Sequence, residues 1–218
     1  MPGPFHYERL GVANGCFVES VAFGDDLRAR LGGATWYRLL QWGAQEDAEV
    51  VAGHAVTIFE YRGRLWCYDI NSGFTVLEIP VANRANVAVV SKPVIAPYLG
   101  KITPFFPLYF EDFPQEPAPK PPVPFDGVSE VELRDASLVA ARLALHRPVS
   151  LVEFTYSKDG VDHRSAAAVF VYSGRLCVYT STSGTVPFRT KALSVENLRQ
   201  LQVMLRRIYP GAGNLKTH

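Results

Sequence analysis

The chain has 218 residues, 48% of them hydrophobic, and a formal net charge of +1. This admits one large domain or two small ones with a packed core, and it argues against a protein that binds nucleic acid chiefly through charge. Cys16, Cys67 and Cys177 are too few and too scattered for a disulfide framework, no His or Cys spacing suggests a metal such as zinc, and no cofactor is called for. No leader pattern and no apolar run of ~18 residues is visible, so a soluble cytoplasmic protein with reduced thiols and no membrane partner is expected.

Residues 1–13 read as extended. Residues 15–31 have helical character, with Phe17, Val21, Leu27 and Leu31 available for one buried stripe, Asn14 as N-cap, and Gly32-Gly33 as the stop. Gly24 weakens the middle of this helix. Residues 35–42 read as a strand and residues 45–50 as an acidic loop.

The stretch 53–73, GHAVTIFEYRGRLWCYDINSG, reads as a β-hairpin turning at Arg62-Gly63. An even loop makes Tyr61 face Arg64, Val56 face Asp69 and His54 face Asn71. His54, Asp69 and Asn71 then share one face, with His54 and Asp69 as diagonal neighbours. A one-residue bulge would put Asp69 on the opposite face. Residues 75–79 read as a third strand and residues 82–90 as a weak helix. Pro93, Pro97, Pro104 and Pro107 rule out a long regular element after it.

Residues 112–127 form a proline-rich, extended connector. Beyond it the pattern predicts a helix over 135–145, strands over 149–156, 165–172 and 175–180, and a helix over 194–209 capped from Ser194.

A shift of 111 positions carries Tyr61-Arg62-Gly63-Arg64-Leu65 onto Tyr172-Ser173-Gly174-Arg175-Leu176 and Ser72-Gly73 onto Ser183-Gly184. Tyr98 and Gly100 fall on Tyr209 and Gly211. The chain thus reads as a duplication: a lobe at 1–111, the connector at 112–127, and an altered second copy at 128–218. His54 falls on Ser165 and Asp69 on Thr180, and nothing in the second copy's first helix matches Cys16. The hairpin does not need a histidine and an acid to fold, so their presence in the first copy wants another reason.

Cys16 stands at a predicted helix start, where orphan backbone N–H groups and the helix dipole favour a thiolate. His54 is the natural base and Asp69 its orienter, with Asn71 as substitute in another register. The thiolate would attack a carbonyl and form a thioester, His54 would protonate the departing amine, and His54 would then activate water or an amine to release the acyl group. The Cys16 backbone N–H and the Asn14 side chain are the oxyanion candidates. Trp42 and Trp66 read as core residues or as walls of an acyl groove.

The order Cys16, His54, Asp69 on helix, strand and strand, with Gly63, Trp66 and Gly73 around it, resembles the transglutaminase-like branch of the papain-like cysteine enzymes. The turn Asn14-Gly15-Cys16-Phe17 is similar to that of the arylamine N-acetyltransferases, although Val12-Ala13 stand where that family has an arginine. The resemblance implies an α+β, cysteine-proteinase-like fold, a helix packed on an antiparallel sheet, and a peptide or amide substrate. The residues also admit a binding module with a relic triad, or a structural protein whose two pseudo-repeated lobes pack together.

Overall fold

The computed structural model describes residues 4, 6–46, 49–89, 108–111, 129–188, 195 and 197–218, with the backbone alone at 42–46, 49–52, 108–111 and 129. The proline-rich connector and Ser194 lie outside the described residues. The fold is α+β, with two antiparallel five-stranded sheets. The chain divides into two compact units, Met1–Arg9 with Glu19–Gln115, and Leu10–Val18 with Glu116–His218. Residues 10–18, assigned by the sequence to the front lobe, thus group with the second unit, and helix α1 (Cys16–Leu31) is divided between the two.

In the first unit β1 (Tyr37–Glu46), β2 (Glu49–Tyr61), β3 (Arg64–Asp69), β4 (Gly73–Leu77) and β5 (Leu108–Glu111) form a sheet in the order β4-β3-β2-β1-β5. Arg62 and Gly63 both have positive φ, 49° and 70°, which matches the tight hairpin turn that suits twisted strands. The register follows: Tyr61 pairs with Arg64 and Thr57 with Tyr68, with no bulge between them. The acidic loop expected at 45–50 is instead largely strand, since β1 runs to Glu46 and β2 begins at Glu49. Polar residues do not end a ladder whose hydrogen bonds are made by the backbone. The weak helix expected over 82–90 begins as a 3-10 helix, Val81–Asn86.

Alternation along these strands separates two cores. One face sends Phe59 and Tyr68 against Tyr7, Phe23 and Leu27, and so carries α1. The Phe23 and Tyr68 rings stack at 4.2 Å. The other face buries Leu40, Val56, Ile58, Leu65, Cys67 and Leu77 with Val87.

The second unit repeats the plan. Helix α2 (Ser129–Ala144) precedes β6 (Val149–Lys158), β7 (Val161–Tyr172), β8 (Arg175–Thr180) and β9 (Gly184–Phe188), followed by α3 (Leu198–Ile208) and β10 (Gly213–Thr217). The sheet order β10-β6-β7-β8-β9 reproduces that of the first unit strand for strand. Helix α2 lies against β6, β7 and β8. Helix α3 buries Leu201, Met204, Leu205 and Ile208 against Val152, Phe154, Val169, Leu176 and Val178. Its N-cap is Asn197, whose side chain accepts from the Gln200 N–H at 3.1 Å, in place of the expected Ser194.

Candidate functional site

His54 lies on β2 and Asp69 ends β3. The unbulged register makes them diagonal neighbours on one face, and His54 Nε2 meets Asp69 Oδ1 at 2.8 Å. Both side chains are close to nine-tenths buried. The carboxylate is held from two further directions: the Asn71 backbone N–H donates to Oδ1 at 2.9 Å and the Ser72 hydroxyl donates to Oδ2 at 3.0 Å. Burial alone would push the Asp69 pKa up. The His54 hydrogen bond, the Asn71 N–H, the His54 charge and the Ser72 hydroxyl outweigh it and leave the carboxyl below its usual range. Of the two candidates it is the Asp69 side chain that meets the His54 ring, and Asn71 takes part through its backbone N–H.

The pair occupies the sheet face turned away from α1. Its neighbours Thr57 and Tyr68 point the other way, the Thr57 hydroxyl donating to the Ser20 carbonyl at 2.9 Å and the Tyr68 hydroxyl to Glu19 at 2.8 Å. Trp66 also points that way and packs into the α1 aromatic core, so it does not share a face with His54. Trp42 pairs with His54 by Cα register, and its side chain lies outside the described residues.

Cys16 is the first residue of α1, is partly exposed, and groups with the second unit. Asn14 takes a left-handed backbone, φ 49°, and its side-chain amide donates to the carbonyls of Ser181 at 2.7 Å and Thr182 at 3.3 Å. That amide is thus engaged by carbonyl oxygens, which corrects its expected role as an oxyanion donor. Cys67 and Cys177 are buried core residues. Burial lifts the Cys177 thiol to about 12, against the pull of Arg147 and Arg175. Burial and then the Asp69 charge lift Cys67 well above its usual range.

The second unit holds polar residues at the matching places of its helix and hairpin. Helices α1 and α2 are both 16 residues long, and α2 begins with Ser129 where α1 begins with Cys16. The three counterpart positions therefore hold Ser129, Ser165 and Thr180. The signal was available in Glu19 and Glu132, which recur three residues into each helix. At the Asp69 counterpart, Thr180 accepts the Tyr209 hydroxyl at 2.8 Å and the Ser183 N–H at 3.1 Å.

Among the described residues no three His, Cys, Asp or Glu side chains could hold a metal ion, and no helix is long and apolar enough to cross a membrane. Comparison with family models, with curated proteins and with solved structures finds no match to this chain. What the fold and site define is an α+β protein of two similarly wound units, one of which holds an oriented His–Asp pair.

Proposed function

We propose that the protein is a thiol-dependent hydrolase or acyltransferase of cysteine-proteinase-like, transglutaminase-like kind, acting on a peptide, amide or isopeptide bond. Cys16 is its nucleophile, His54 its base and Asp69 the orienter. The observation that carries this reading is the 2.8 Å His54–Asp69 contact with the carboxylate anchored at both oxygens. With Nε2 engaged by Asp69, proton exchange with a thiol falls to Nδ1. The thiolate attacks the carbonyl carbon, the C–N bond breaks, and the imidazolium proton leaves with the amine. Water or a second amine, deprotonated by the same imidazole, then displaces the sulfur.

One observation favours a second reading, a non-catalytic binding or structural module with relic residues: the His54–Asp69 pair faces away from α1. Incubation with p-nitrophenyl acetate, followed by intact-mass and peptide mass spectrometry, separates the two. The enzyme reading expects a hydroxylamine-labile acyl group on Cys16, absent in Cys16→Ser and formed at least ten times more slowly in His54→Ala, within the range general-base catalysis supplies. Acylation of Cys16 at the same rate with and without His54 favours the relic module.

A further inference from the structure

We infer that the second unit, although it lacks the histidine and the acid, positions the Cys16 turn, with Asp135 and Tyr179 as its positioning residues. This rests on the reading of Cys16 as nucleophile. The Ala13 peptide, three residues before Cys16, is gripped at both ends by residues of that unit. The Asp135 carboxylate accepts the Ala13 N–H at 3.1 Å, and the Tyr179 hydroxyl donates to the Ala13 carbonyl at 2.7 Å. Both side chains are fully buried, Asp135 and Tyr179 each at 0% exposure, where a hydrogen bond is costly to leave unmade.

Asp135 is itself set by Arg134, which donates to its other oxygen at 2.8 and 3.0 Å. Burial, then the Asp135 and Tyr209 charges, raise the Tyr179 pKa and keep the phenol a donor. The next residues are equally specified. Asn14 is left-handed and bound to the Ser181 carbonyl, and a Cβ on Gly15 would fall 2.6 Å from Val12 Cγ2. Ala13 and Asn14 are thus held by hydrogen bonds and Gly15 is closed to a side chain, and this turn sets where the first turn of α1, with its thiol, begins. Phe17 adds an edge-on contact with Tyr172 at 5.7 Å.

The test is the pH–rate profile of Cys16 alkylation by iodoacetamide, read by mass spectrometry on the full chain, in Tyr179→Phe, Asp135→Ala, Asp135→Asn and His54→Ala. Tyr179→Phe and Asp135→Ala should slow the reaction by roughly five- to tenfold across the profile, the effect of one lost buried hydrogen bond. Asp135→Asn keeps an oxygen for the Ala13 N–H and should recover most of the rate. Unchanged profiles in folded Tyr179→Phe and Asp135→Ala overturn the inference, as does Asp135→Asn behaving like Asp135→Ala. Should Asp135→Ala unfold, Tyr179→Phe decides, since it removes one oxygen and keeps the ring. A profile that ignores His54→Ala but responds to Tyr179→Phe defeats the enzyme reading and leaves the positioning intact.

Discussion

His54 Nε2 and Asp69 Oδ1 lie 2.8 Å apart, while at the corresponding place in the second unit Thr180 Oγ1 accepts the Tyr209 hydroxyl, also at 2.8 Å. Two similarly wound sheets thus end their third strands on a polar side chain that must be satisfied. One satisfies it with an ionisable pair, the other with neutral hydroxyls. The turn that follows helps in both cases, through Asn71 and Ser72 in one and the Ser183 N–H in the other. The scaffold needs a bonded group there; it does not need a charge.

The charge has a pH signature. The Asp69 pKa is lowered in the folded state, so folding releases its proton more readily than the unfolded chain does. Its stabilising contribution is complete above the unfolded Asp value of about 3.9 and is lost as pH falls through the lower folded value. Asp69→Asn should therefore be less stable than the parent at pH 7, with the gap closing as pH falls below about 4. Urea midpoints at pH 7, 5, 4 and 3 measure this. A gap that stays constant or widens toward pH 3 shows that the carboxylate is not held in its charged form.

The register of the 53–73 hairpin was legible because its turn residues and its length determine it, and it brought the histidine and the acid together without any knowledge of the rest. The face was not legible. Thr57 and Tyr68 bind α1, but nothing in HAVTIFEY distinguishes the side that meets a helix from the side that meets Leu40 and Leu77. Both sides are apolar, because both are buried. Strands β5, β9 and β10 were also missed. β5 lies among prolines, β9 holds Pro187 at the sheet edge where a missing donor is harmless, and β10 is polar at Asn214 and Lys216. The first turn of α2 escaped notice because Ser-Glu-Val-Glu follows the proline-rich connector and looks like its continuation.

Gly24 is a glycine in mid-helix for a steric reason. Alanine would favour the helix by about 1 kcal/mol. Its Cβ, however, would stand 2.6 Å from Tyr37 Cε2 and 3.2 Å from two more ring atoms. That ring also lies under the Arg28 guanidinium, 5.3 Å from its centroid. Gly24→Ala should destabilise the protein by about 1–2 kcal/mol, as overpacked sites do. In a Tyr37→Ala background the same substitution should stabilise, since only the propensity gain remains. Denaturant midpoints of the four proteins complete the cycle. Destabilisation of equal size in both backgrounds would remove Tyr37 from the explanation.

Tyr209 offers the matching experiment in the second unit. Its ring is fully buried and packs edge-on against Phe154 at 5.1 Å, so most of its contribution is apolar. Its hydroxyl reaches Thr180, which is itself fully buried. Burial raises the Tyr209 pKa despite the opposing Thr180, Ser183 and Thr182 hydroxyls, so the phenol stays protonated across the neutral range. Tyr209→Phe removes only the donor. Thr180 Oγ1 keeps the Ser183 N–H, so the cost should be about 1 kcal/mol, not the larger penalty of an orphaned group. It should also stay constant from pH 7 down to pH 3, in contrast to Asp69→Asn in the first unit, whose gap closes below about 4. A pH-dependent loss in Tyr209→Phe would mean that this end of the second sheet also holds a titrating partner, and the contrast between the two copies would fail.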